Sequence, residues 1–214
     1  MRTKPVIWIE GIIGSGKTTL ADALAKKLNF RPIHEPVETN PYLGCFYQDP
    51  KRWAYPMQLH LLAERYGLQK LAVGEALSGD RYEGVILDRG LPGDRVFAKL
   101  HVQEGNISEL EWGTYERFYE IMASDLRPPA LIVFLDVDPR VAFNRVNKRA
   151  RQAENGLPIE YLEKLHRGYL DLLSEIESGR HLWSRGMDVL RWPWNTDDLP
   201  VDPIAKIINQ RFGL

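Results

Sequence analysis

Residues 11–19 read Gly-Ile-Ile-Gly-Ser-Gly-Lys-Thr-Thr, directly after the run Val6-Ile7-Trp8-Ile9 that ends in Glu10. This satisfies the phosphate-loop pattern G-x-x-x-x-G-K-[S/T], and it falls between a predicted strand and a predicted helix. In that setting backbone N–H groups converge on an anion at a helix N-terminus, where the helix adds partial positive charge. Gly11, Gly14 and Gly16 permit the tight turn, with Ile12, Ile13, Ser15 and Thr19 completing the loop. Lys17 is placed to reach the β- and γ-phosphates of a nucleoside triphosphate, and the Thr18 hydroxyl to help hold Mg²⁺.

Outward from the loop, short β-branched runs alternate with longer amphipathic stretches. Strands are predicted at 6–10, 32–34, 84–88, 130–136 and 187–192. Helices are predicted at 17–28, 53–76, 93–103, 108–126, 139–149, 158–178 and 202–212. The expectation is an α/β fold built on a P-loop: a five-stranded parallel sheet flanked by helices, one domain over 1–214, and a short arginine-rich lid at about 145–156.

Composition narrows the partners. With 28 basic and 29 acidic residues the net charge is -1, which gives no field to recruit polymeric nucleic acid. Cys45 is the only cysteine, so an intrachain disulfide is excluded and a reducing, cytoplasmic setting is expected. No apolar run approaches the roughly 20 residues of a membrane span, and the N-terminus lacks the apolar core of a signal peptide.

In an open parallel sheet, ligands bind beyond the carboxyl ends of the strands. Three clusters follow strands here: Glu35, the pair Asp88-Arg89, and a helix from about Asp138 with Arg145 and Arg149 on one face and Arg151 beyond. Phosphoryl transfer needs cations around the transferred group and a positioned acceptor. Arg89 and the lid arginines supply the charge, Glu35 is the candidate base for an acceptor hydroxyl, and Asp88 is placed to orient Mg²⁺ through water. The bland readings stay open: Glu35 as a turn cap before Pro36, Asp88-Arg89 as a strand-end ion pair, the lid arginines as a solvated helix face.

Most of the chain resembles the deoxynucleoside kinases, a family that includes deoxycytidine, deoxyguanosine and mitochondrial thymidine kinases, the insect broad-specificity enzyme and bacterial deoxyadenosine kinases. The resemblance runs through IEGIIGSGKTT, EPVETNPYLGCFYQDPKRWAYPMQ, LDRGLPGDRVFA and RVNKRARQAENGLPIEYLEKLH. It implies ATP as donor, the 5′-hydroxyl of a deoxynucleoside as acceptor, and a homodimer formed through the helices at 93–103 and 108–126. By position, it makes Glu35 the base, Arg89 the catalytic arginine, Tyr47 and Glu154 partners of the sugar 3′-hydroxyl, and Gln58 the reader of the base. Arg65 and Asp94 match residues of the deoxycytidine and deoxyguanosine kinases where thymidine-accepting relatives carry smaller or apolar groups. Gln58, Leu61, Leu62 and Arg65 also share one helix face by spacing alone.

Two departures stand out: Gly90 where the family usually has serine, and Leu91-Pro92 where a tyrosine is common. A nucleoside monophosphate kinase is the nearest rival, but its acceptor is already a phosphate, which a carboxylate at Glu35 would repel. A GTPase switch predicts a guanine-reading N-K-x-D segment, and Asn147-Lys148-Arg149-Ala150 lacks the acid.

Overall fold

The computed structural model describes residues 4–35, 40–78, 81–149, 157–184 and 187–214. Five strands, β1 (Val6–Glu10), β2 (Phe30–Ile33), β3 (Gly84–Asp88), β4 (Leu131–Asp136) and β5 (Val189–Pro193), form one parallel sheet in the order β2-β3-β1-β4-β5. The chain turns to one side of β1 for β2 and β3 and to the other for β4 and β5, so the order reverses at β1. In parallel sheets such a switch is where ligands bind, beyond the carboxyl ends of the strands. The register pairs Ile9 with Asp88 and with Val133, which brings the ends of β1, β3 and β4 to one edge. β3 is buried throughout and β4 nearly so, as strands covered on both faces must be.

The helices are α1 (Lys17–Leu28), α2 (Leu43–Gln48), α3 (Pro50–Ser78), α4 (Leu91–Gln103), α5 (Glu109–Ser124), α6 (Pro139–Arg149), α7 (Ile159–Glu177) and α8 (Val201–Phe212). α1 and α8 pack together, while α3, α4, α5 and α7 form a second contacting group. β1, α1, β3 and α6 have the limits predicted from sequence. α3 starts earlier than predicted, at Pro50, because proline suits the first helical turn and the Asp49 side chain accepts from the Arg52 N–H at 3.3 Å. The predicted list lacks α2, whose six residues bury no side chain and therefore carry no apolar period.

Gly90 joins β3 to α4 in an extended conformation that any residue can adopt, so space and not dihedral freedom fixes its identity. A Cβ there would lie 2.5 Å from ring carbons of Trp8, which is fully buried and stands edge-on to Trp183 at 5.4 Å. Trp8 on β1 thus occupies the space that a serine side chain would need. Gly90→Ser is expected to destabilise by about 1–3 kcal/mol through overpacking. The thermal midpoint should fall by about 2–12 °C, and by less in a Trp8→Leu background. Equal losses in the two backgrounds would show that the tryptophan is not the obstacle.

Candidate active site

β1 delivers the chain into the phosphate loop, where Gly14 and Gly16 take positive φ of 78° and 86°. A Cβ at Gly14 would meet the Ala142 carbonyl oxygen at 2.5 Å, and one at Gly16 the Trp194 ring at the same distance. Bare glycines therefore let α6 and the chain beyond β5 close directly on the loop. Ile12 is core, and its carbonyl accepts from the Ser15 N–H at 3.2 Å and from Lys17 Nζ at 2.9 Å. Thr18 Oγ1 donates to Asp88 Oδ2 at 2.5 Å, so the hydroxyl and the carboxylate assigned to Mg²⁺ stand side by side. That oxygen pair fits an ion that keeps several waters and takes few protein ligands.

Glu35 lies two residues beyond β2, and its carboxylate is held from both sides. One oxygen pairs with Arg65 of α3, the other with Arg89 Nε at 3.4 Å. Arg65 also pairs with Asp94 of α4, whose second oxygen accepts from the Tyr115 hydroxyl of α5 at 2.5 Å. Burial alone would raise the Glu35 pKa, but the charges of Arg65, Arg89 and Lys17 outweigh it and hold Glu35 below the ordinary carboxylate range. Glu35 is thus an anion at neutral pH.

Arg89 adopts a left-handed backbone with φ of 72°, places its guanidinium 4.6 Å over the Phe97 ring, and donates to the Tyr169 hydroxyl. Gln58 is 1% exposed, and its Oε1 has no hydrogen-bond partner among the described residues. Leu62 and Arg65 are buried beside it on α3, whereas Leu61 is only half-buried. Tyr47, on α2, is 49% exposed, with its ring edge-on to Phe46 at 5.3 Å. Arg145 lies 4.5 Å over the Trp194 ring and donates to the Thr196 carbonyl at 2.6 Å. Arg149 is exposed at the last residue of α6, and within the loop segment Ile13 is half-buried and Thr19 exposed. Arg151 and Glu154 lie outside the described residues, as does most of the predicted lid.

Glu35, Arg65, Arg89, Asp94, Lys17, Thr18 and Asp88 therefore meet at one edge of the sheet, drawn from the carboxyl ends of β2 and β3, from α3 and α4, and from the start of α1. The profile of the deoxynucleoside kinase family matches residues 7–202. The chain belongs to this family. A deoxyadenosine kinase of Dictyostelium discoideum is 35% identical over 208 residues, 96% of this chain and 78% of the relative. A deoxyadenosine/deoxycytidine kinase of Bacillus subtilis is 33% identical, covering 95% of this chain and 93% of its own. The solved deoxyadenosine kinase from M. mycoides with bound dCTP superposes with a TM-score of 0.78 at 26% identity, over 96% of this chain and 99% of that one. As a deoxynucleoside kinase the protein is a phosphotransferase.

Sequence reasoning assigned no role to Glu10, Tyr169 or Trp194. Glu10 looked like the mere end of an apolar strand, yet it is 1% exposed. An acid closing a fully buried strand just before a phosphate loop is the signal that could have found it.

Lys17 is pushed down to about 7, by burial first and by the Arg89 charge next, against the pull of Asp88, Glu10 and Glu35. An unfolded lysine titrates near 10.4, so between about pH 7 and 10 the unfolded chain holds a proton that the folded chain lacks. Stability then rises with pH across that window. Urea unfolding at about pH 7 and pH 9 should show the native protein gaining stability relative to Lys17→Met. Parallel behaviour of the two proteins would place the Lys17 proton equally in both states.

Proposed function

We propose that this deoxynucleoside kinase transfers the γ-phosphoryl group of ATP to the 5′-hydroxyl of a purine deoxynucleoside or deoxycytidine, with Glu35 as the base. The observation that carries the reading is a carboxylate only 11% exposed, held between Arg65 and Arg89 beside a phosphate loop. A phosphorylated acceptor would meet repulsion there, whereas a neutral hydroxyl can donate to it. The similar proteins named deoxyadenosine, deoxyguanosine and deoxyadenosine/deoxycytidine kinases support the substrate class.

In this mechanism the 5′-oxygen forms a bond to the γ-phosphorus, the bond to the β,γ-bridging oxygen breaks, ADP leaves, and the hydroxyl proton passes to Glu35. Lys17 and Arg89 stabilise the charge on the transferred group, and Arg149 and Arg151 add to it from the lid. Arg145 contributes positive potential from its place over Trp194. Thr18, with Asp88 through water, would hold Mg²⁺, whose positive charge would offset that of the phosphates. Gln58 meets the base edge with its otherwise unpartnered buried oxygen, and Tyr47 with Glu154 holds the sugar 3′-hydroxyl. A cytoplasmic homodimer is the associated reading, and the exposed Leu110, Phe118 and Ile121 on α5 support a contact there.

Glu35→Gln should keep deoxynucleoside binding and lower turnover by at least about a hundredfold, the usual scale for a general base. Near-normal turnover in steady-state assays would remove Glu35 from the chemistry.

Thymidine should be disfavoured against the best deoxynucleoside by about 1–3 kcal/mol, tenfold to two-hundredfold in kcat/KM, because the Arg65–Asp94 pair fills the space its methyl group requires. Arg65→Met with Asp94→Ala should raise the share of thymidine in the activity while overall turnover falls, since Glu35 loses one of its cations. Arg65→Met alone leaves both carboxylates short of charge and should depress every activity. Equal use of thymidine and the other deoxynucleosides by the unaltered enzyme would defeat this account of specificity.

A further inference from the structure

Glu10 is fully buried behind the site. Its Oε1 accepts from the Gly90 N–H at 2.7 Å and its Oε2 from the Tyr169 hydroxyl at 3.0 Å. The same hydroxyl accepts from Arg89 Nη1. Burial above all pushes the Tyr169 phenol far above its ordinary pKa, so it stays protonated and can donate to Glu10 while accepting from Arg89. The space for this chain is reserved, because a Cβ at Gly93 would stand 2.6 Å from Glu10 Oε2 and 2.9 Å from the Tyr169 oxygen. One carboxylate thus grips both ends of the arginine: the peptide N–H after it, and, through a phenol, its guanidinium. Between these grips Arg89 holds a left-handed backbone, which a non-glycine residue adopts only when its surroundings impose it.

We infer that Glu10 and Tyr169 are positioning residues of phosphoryl transfer, which fix the turn at Arg89 and aim its guanidinium at Glu35 and the transferred group. The inference rests on the proposed role of Arg89. A plain structural role is the alternative, since a carboxylate at the first N–H before α4 also suits a helix N-terminus. A second alternative acts through Lys17, whose charge Glu10 also feels.

Steady-state kinetics of Glu10→Gln, Tyr169→Phe, Arg89→Lys and the doubles that combine each of the first two with the third separate these roles. Glu10→Gln and Tyr169→Phe should each lower kcat about tenfold while KM for nucleoside and donor stays within about threefold. In the Arg89→Lys background either change should lower kcat by less than about twofold, because the group it positions is already gone. An unchanged kcat per folded molecule, measured alongside thermal melts, overturns the inference and leaves the pair as a helix cap. A tenfold loss that persists in the Arg89→Lys background also overturns it and routes the effect through Lys17. If Glu10→Gln does not fold, Tyr169→Phe decides, since it leaves Glu10 and its bond to Gly90 in place. Near-normal turnover of Arg89→Lys itself would instead defeat the catalytic reading of Arg89, a failure distinct from that of the positioning role.

Discussion

A carboxylate taken out of water is unfavourable by several kcal/mol unless opposing charge and hydrogen bonds replace the lost hydration. Glu35 meets that demand through Arg65 and Arg89, and neither guanidinium is itself supported by solvent, both being about 5% exposed. Each therefore needs a further partner. Arg65 finds it in Asp94, and Arg89 in Tyr169 and, behind it, Glu10. One largely buried carboxylate thus constrains residues on β1, in the turn after β3 and on three helices. Breaking such a network at one member leaves an uncompensated charge on the next, so its members are expected to be far less replaceable than surface pairs such as Lys70–Asp125, both more than half exposed.

The sheet is what makes the network possible. Because β1 sits at the point where strand order reverses, the chain ends of β2, β3 and β4 flank the phosphate loop on both sides. Glu10, Asp88 and Asp136 each close a strand at that edge, and each has a distinct neighbour: Gly90 and Tyr169 for the first, Thr18 for the second, His166 and Arg191 for the third. The loop glycines serve the same end from the other direction. They let Ala142 of α6 and the Trp194 ring close on the loop, so the helix that carries Arg145 and Arg149 is packed directly against it.

Local pattern was enough wherever local physics decides. β1, the loop and α1 could be drawn from an apolar run, three glycines and a lysine, and α6 from its arginine spacing and Pro139. β2 begins two residues before its predicted start, since Asn29 ends α1 in a left-handed conformation and Phe30 enters the sheet at once. What local pattern does not carry is the partner of a buried group. Arg65 and Glu35 are thirty residues apart and Glu10 and Tyr169 more than a hundred and fifty, and no period or motif joins them. Gly90 is a similar case: its departure from the family pattern is visible in sequence, but its cause, the Trp8 ring, is a contact across the sheet edge.

The shared guanidinium of Arg65 ties two properties that are often treated apart. In the proposed reading Asp94 and Gln58 would face the base and Glu35 would act in the chemistry, and Arg65 pairs with both Asp94 and Glu35 through one planar group. A change that reshapes the base pocket by moving Arg65 must also alter the charge seen by Glu35, whose carboxylate form depends first on overcoming burial and then on Arg65 more than on any other cation. On that reading specificity and proton transfer would be coupled through a side chain whose two bonds cannot be optimised independently. A base that let Arg65 keep both partners would leave the Glu35 carboxylate charged and oriented, and one that displaced it would weaken chemistry as well as binding. Discrimination would then appear in turnover as well as in affinity, the signature of a contact used to assemble the reacting geometry.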